Sequence, residues 1–426
     1  MIRTRLCIAL AAVLALILTA CGGGGSSSSG PTEIAVWHGY QDKEGEVFKS
    51  LVDQYNREHP DVKVSELYSS NDLVLQKVLT AVRGGSAPDV AYMFGSWSPN
   101  IAQIPQVVNM SEEVSKPDWK WDDFYPAERT AATVADKIVG VPALVDNLAI
   151  VYNKKLFADA GIEPPTANWT WDDFRAAAAK LTDPAKGQYG WLIPADGSED
   201  TVWHYIPMLW DAGGDILTPD NAHAAFNSEA GAKSLTLLQQ MAVTDKSLYL
   251  DTTNENGSKL MNSGKIGMLV TGPWDLGSLP DIEYGVQVMP TFAGSNGGHQ
   301  TISGPDNWVM FDNGDKKKQA AIDFIKWLTA PEQVRAFSLG TGDLPTRTSV
   351  GQDQAFVAKL NESLPGSGTF VENLSNVKKV RPTVEQYPAI SEAMGQAIVS
   401  VMLGKDQPAD ALNSAAKAVD AALAGK

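Results

Sequence analysis

Between residues 34 and 93 the chain switches repeatedly between two periodicities, and that alternation leaves few folds open. Ile34-Ala35-Val36-Trp37 is a short apolar run suited to a buried strand. From Glu46 to His59 apolar residues recur at Val47, Phe48, Leu51, Val52 and Tyr55, the spacing of one helix face, and Pro60 ends the run. Val62-Lys63-Val64 alternates like a second strand, Leu73 to Arg83 is a second amphipathic helix stopped by Gly84-Gly85, and Pro88 to Met93 is a third strand. Strand, helix, strand, helix, strand in immediate succession predicts a parallel α/β sheet.

Later segments repeat the theme. Leu148 to Tyr152 is a predicted strand, and so is Ile266 to Val270, which runs into a glycine-proline turn. Helices are expected over Trp171–Leu181, Glu229–Met241, Gln319–Leu328, Glu332–Leu339 and Ala409–Leu423. With 426 residues there is room for two domains, each with a core of its own.

The first thirty residues read as an address. Arg3 and Arg5 precede an apolar run from Leu6 to Leu18, and small residues follow at Thr19 and Ala20, which is the plan of a secretory signal. The run is too short for a comfortable permanent span. Leu18-Thr19-Ala20-Cys21 resembles a bacterial lipobox, so Cys21 is expected to carry a lipid anchor; an ordinary signal with a chance cysteine is the bland alternative. Gly22 to Gly30 contains only glycine and serine, a flexible tether of about 17 Å root-mean-square length.

Composition then excludes several functions. Cys7 leaves with the signal and Cys21 is the anchor, so the body has no cysteine for disulfides, thiolate metal sites or nucleophiles. Loss of Arg3 and Arg5 takes the formal charge from −16 to −18, a balance that repels nucleic acid and anionic lipid. No HExxH, GxSxG, phosphate-binding loop, EF-hand or GxGxxG signature occurs. With five histidines in all, a catalytic zinc site is not expected. No metal and no cofactor are called for.

Four groups of fragments, in order, carry a family resemblance. They are Ala87-Pro88-Asp89-Val90; Gly140-Val141-Pro142 with Leu148 to Asn153, Leu156-Phe157, Ala160-Gly161-Ile162, Pro164-Pro165 and Trp169 to Phe174; Gly264 to Met268 with Thr271-Gly272-Pro273-Trp274 and Tyr284 to Phe292; and Leu344-Pro345-Thr346-Arg347 with the closing helix after Gly404. Together they cover nearly the whole body, and the chain resembles the extracellular solute-binding proteins of carbohydrate ABC importers, including maltodextrin-binding proteins. The resemblance implies a two-lobed, type II periplasmic-binding-protein-like α/β fold whose ligand cleft lies between hinged lobes. It implies a signal peptide at 1–20, a lipidated cysteine and tether at 21–31, an N-terminal lobe of 32–143 plus 305–350, and a C-terminal lobe of 144–304 plus 351–426. Crossings between lobes are placed near 143–146, near 301–305 and after 350. The implied partners are a small carbohydrate, importer transmembrane subunits and, through Cys21, the membrane. A monomer is the expectation.

Ligands in open α/β sheets sit beyond the carboxyl ends of strands, so strand-following residues are the candidates. Trp274 is implied to stack on a sugar ring, against plain packing under its turn. His38 and Tyr40 follow the first strand; His38 is equally a loop histidine bonded to backbone. Glu44 could accept hydroxyls or simply suit a helix start. Trp97 is placed for stacking. Asp146, beside the first crossing, could take two hydroxyl donors or be a surface charge. Trp203 is a second platform or a buried residue at a helix start. Gly304, Asp306 and Asn307 lie at the second crossing, though Asp and Asn also form turns. Arg347 either meets the ligand or pins its lobe by a salt bridge. Trp191, Trp210 and Trp327 are assigned to core. A glycerophosphodiester or other phosphorylated solute is the alternative ligand, and it would need Arg347. A secreted glycoside hydrolase, needing a spaced carboxyl pair, is the alternative of another class; the chain is read as a binding protein, not an enzyme.

Overall fold

The three strands of the N-terminal alternation are Thr32–His38, Val62–Tyr68 and Val90–Phe94, with helices Asp42–Glu58 and Asn71–Arg83 between them. The computed structural model describes residues 30–280, 282–295 and 297–425; the signal segment, Cys21 and the tether up to 29 lie outside the described residues. The first strand pairs in parallel with the other two. Both helices start earlier than their apolar periodicity, because a polar first turn gives no periodic signal. Asp42 and Glu44 sit in that turn, where carboxylates suit the helix dipole.

The sheet is completed from a distance. Strand Asp306–Met310 inserts antiparallel between Val90–Phe94 and Val141–Leu144. The order is therefore Val62–Tyr68, Thr32–His38, Val90–Phe94, Asp306–Met310, Val141–Leu144. A second five-stranded sheet runs Tyr284–Gln287, Ala149–Asn153, Ile266–Thr271, Tyr189–Pro194, Leu248–Asp251. Ala149–Asn153 is antiparallel to both its neighbours, and the remaining pairs are parallel. Each sheet has its own core: Phe48, Tyr92, Trp308 and Phe324 in the first, and Trp171, Phe174, Trp191 and Tyr205 in the second. This is the two-lobed α/β architecture implied by the resemblance. Trp191 and Trp210 are core, and Trp327 packs half-buried on the first core while its indole N–H donates to Glu58.

Three connecting segments are bonded to one another between the sheets. Leu148 N–H donates to the Thr301 hydroxyl, which donates to Leu148 O. Asn147 and Asn373 join side chain to side chain at 2.7 Å, and Thr301 pairs with Val377. The first two segments of this bundle are near 146–148 and 301–304. The expected break between 350 and 351 falls inside the helix Thr348–Gly351, and the third segment of the bundle is near 373–377. Among elements that periodicity missed, Asp306–Met310 is short, fully buried and introduced by turn-forming residues, so it carries no alternation. Helix Tyr387–Met402 is apolar on several faces because it packs on both the Glu199–Asp211 helix and the terminal helix Pro408–Leu423.

Candidate functional site: a cleft between the two sheets

A cleft of about 1140 Å³ opens between the sheets. Strand-following turns of both sheets line it, as strand polarity requires. Its volume exceeds the roughly 300–1,000 Å³ usual for a small-molecule pocket, so it has room for a solute larger than one sugar ring.

Aromatic faces come from both walls. The first sheet and its turns contribute Tyr40, Tyr68, Tyr92, Phe94 and Trp97; the second contributes Trp203 and Trp274. Tyr68 and Leu73 stand at the mouth, 45% and 53% exposed. Trp274 leaves the strand Ile266–Thr271 through Gly272 and a proline-started turn. Its ring lies against the Gly272 backbone so closely that a Cβ there would be 1.9 Å from the indole. One indole edge is thus seated on glycine, and the half-buried ring also packs on the second core. Trp203 stands in the helix Glu199–Asp211, whose N-terminal turn is capped by Ser198 accepting from Asp200 N–H.

The floor is built from carboxylates. Asp146 accepts from Gly304 N–H at 2.9 Å, tying the first two connecting segments together. Gly304 fits closely there, since a Cβ would stand 3.0 Å from the side chains of both Asp146 and Trp203. Asp306 accepts from the Tyr92 hydroxyl at 2.6 Å and from Gly95 N–H at 3.3 Å. Burial pushes the Asp306 carboxyl up to about 6, against the pull of Arg381 and Tyr92. Burial, reinforced by Asp306, also holds Asp146 well above the usual carboxylate range. Glu44 is raised by burial and then by neighbouring Asp343, itself pushed by burial to about 7. Asp42 reaches across to the Ser258 hydroxyl of the opposite wall at 3.2 Å. Eleven lining residues are Asp or Glu, and among the described lining residues Arg381 is the single arginine and no lysine occurs.

Arg381 was not among the residues singled out by sequence. It is 5% exposed, its Nη1 donates to Glu199 Oε1 at 2.7 Å, and its guanidinium lies 4.5 Å above the Trp203 ring. Glu199 also accepts from the Tyr387 hydroxyl at 2.9 Å and from the Ser391 hydroxyl. Nothing local distinguishes these residues: Glu199 after Ser198 reads as an acid in a helix first turn, and Arg381 sits in a polar loop.

The structure brings Tyr40, Glu44, Trp97, Asp146, Trp203, Trp274, Gly304 and Asp306 to the cleft wall. It places three expected residues elsewhere. His38 is 2% exposed, bonded through Nε2 to Glu66 at 2.7 Å and packed on Phe48, so it is a core histidine, its pKa lowered by burial. Asn307 follows Asp306 in the same strand and therefore points to the other side of the sheet, where its Cβ fills the space over Gly140. Arg347 is 3% exposed, donates to the carbonyls of Thr329, Trp119 and Lys120, and stacks 4.0 Å over Phe124. It pins its lobe rather than facing the cleft. Among the described residues no group of three or more His, Cys, Asp or Glu is arranged to hold a metal ion, and no helix is long and apolar enough to cross a membrane.

A family model described as bacterial extracellular solute-binding protein matches residues 39–335. The sn-glycerol-3-phosphate-binding periplasmic protein of Pectobacterium atrosepticum is 26% identical over 415 residues, covering 92% of this chain and 91% of its own. Two solved structures are similar throughout. The cyclic alpha-maltosyl-1,6-maltose binding protein from Arthrobacter globiformis is 30% identical with a TM-score of 0.73, over 93% of this chain and 100% of that one. An ABC transporter solute-binding protein from Thermotoga lettingae, bound with alpha-D-tagatose, is 25% identical with a TM-score of 0.82, over 92% of this chain and 100% of that one.

Proposed function

Because the chain belongs to the bacterial extracellular solute-binding proteins, we propose that its cleft captures a neutral sugar or oligosaccharide outside the membrane. Its role as the solute-binding component of an ABC importer follows from the family; the ligand is what the cleft chemistry supports. The observation that carries it is a lining of aromatic faces and carboxylates with one arginine already engaged by Glu199. A pyranose presents an apolar C–H face for an indole and hydroxyl donors for carboxylates, which are acceptors only. A phosphate brings negative charge instead. At about 4 Å an ionised carboxylate would repel it by roughly 4 kcal/mol at a near-surface dielectric, and the cleft offers no lysine among its described lining residues to compensate.

On this reading Trp274 and Trp203 are the stacking platforms, and Asp146, Asp306 and Glu44 accept hydroxyls. The lobes divide at the three connecting segments and close by a hinge. The protein works as a monomer, held to the membrane by lipid on Cys21; labelled palmitate should enter the parent protein and not Cys21→Ser, and equal labelling of both would remove the anchor from the picture.

Thermal unfolding with a ligand panel tests the ligand class. A solute that binds only the folded state stabilises it by about 2.7 kcal/mol at one hundred times Kd. Maltose, maltotriose or a cyclic tetrasaccharide should raise the midpoint, and sn-glycerol-3-phosphate and glycerophosphocholine should not. A shift confined to the phosphates would transfer the assignment to a phosphorylated solute.

A further inference from the structure

Arg381 occupies an unusual position. It leaves the third connecting segment, just past the residues that bond to the other two. On one side its guanidinium covers Trp203 of the second lobe at 4.5 Å; on the other it lies 5.7 Å from the Phe94 ring at the end of a first-sheet strand. Phe94 in turn packs at 4.5 Å on Trp97. A continuous run of Trp97, Phe94, guanidinium and Trp203 therefore crosses the cleft floor from lobe to lobe. Glu199 fixes the orientation of this cation, and Glu199 is itself held by Tyr387, a residue buried in the first lobe's core, and by Ser391.

We propose that Arg381 is a positioning residue for ligand capture: it seats the Trp203 platform and, as the cation of the cleft floor, keeps Asp306 as a hydroxyl acceptor. The titratable groups around Asp306 are Tyr40, Tyr92, Glu128, Asp146, Glu199 and Arg381. Arg381 is the one cation among them, and its charge lowers the carboxyls of both Asp306 and Asp146. A protonated carboxyl offers one donor and loses acceptor capacity. Without Arg381 the floor therefore takes up protons at a higher pH and presents donors where sugar hydroxyls need acceptors. Arginine suits both tasks, since its planar group stacks on aromatic faces and stays charged when buried.

The test is a carboxyl-carbon NMR titration of the protein with labelled aspartate, Asp306 being assigned through Asp306→Asn. In the parent protein the Asp306 midpoint is expected at about 6. In Arg381→Met it should rise by about one unit or more, and in Arg381→Lys, which keeps the charge, by less than about half a unit. Maltotriose affinity at pH 7, resting on the carbohydrate reading above, should fall about tenfold or more in Arg381→Met, with the pH dependence of Kd moving in step with the carboxyl. Should the single variant fail to fold, Glu199→Gln with Arg381→Met leaves no unpaired buried charge and should still raise the Asp306 midpoint, because Arg381 acts on Asp306 more strongly than Glu199 does. An unchanged Asp306 midpoint in the folded Met variants overturns the inference. Failure of the parent protein to bind maltotriose counts against the carbohydrate reading alone, since the carboxyl titration decides the role of Arg381 without ligand.

Discussion

Trp274→Ala is expected to weaken sugar binding about 10- to 100-fold, or about 1.4–2.8 kcal/mol. The loss is that of an apolar surface the size of a buried large side chain over the ligand's C–H face. The indole is half-buried and packs on the rim of the second core, so part of the effect will also appear as lower stability. A second substitution separates the two. Gly272→Ala keeps the tryptophan but places a Cβ 1.9 Å from its ring, so the platform must swing away. Calorimetric titration should find affinity lowered in both variants. If Gly272→Ala binds as the parent does, Trp274 stacks on nothing in its present orientation and the platform assignment fails.

Glu199→Ala should be the most destabilising single change at the cleft, by about 3–5 kcal/mol, the usual cost of leaving one partner of a buried ion pair uncompensated. Arg381 would lose its carboxylate at 5% exposure, and the hydroxyls of Tyr387 and Ser391 would lose their acceptor. Glu199→Gln keeps an acceptor oxygen for the hydroxyls and should cost less. Urea midpoints for the parent and both variants check the order. A loss below about 1 kcal/mol in the alanine variant would mean that solvent reaches Arg381 freely and that the floor is looser than its geometry.

Those two residues also mark the limit of what could be read in advance. Trp274 was legible because its signal is local: a strand, a glycine-proline turn and an aromatic directly after. The helix around Trp171–Leu181 was legible from equally local apolar spacing, and in the structure Thr170 and Asp173 form a capping box that closes its first turn. The three parallel strands of the first sheet followed from a change of period that any short window reveals. Glu199 and Arg381 meet across 182 positions, and neither carries a mark that separates it from a solvated acid or a loop cation.

The same division explains the corrections. His38, Asn307 and Arg347 are polar residues at places where polar residues often meet ligands, and local chemistry cannot say which way each side chain points. The strand containing Asp306 and Asn307 inserts antiparallel between two others, and its pleat turns one residue to the cleft and the next to the far face. Arg347 is drawn inward by the carbonyls of Thr329, Trp119 and Lys120, groups supplied by two other segments of the chain. The sequence by itself determined the strand and helix alternation, the cysteine-free acidic body, the turn tryptophan and the order of motifs that identifies the family. Only the tertiary structure decided which arginine faces the cleft and which carboxylates form its floor. Burial and pairing are sums over segments far apart in the chain, whereas period, capping and turn chemistry act within a few residues.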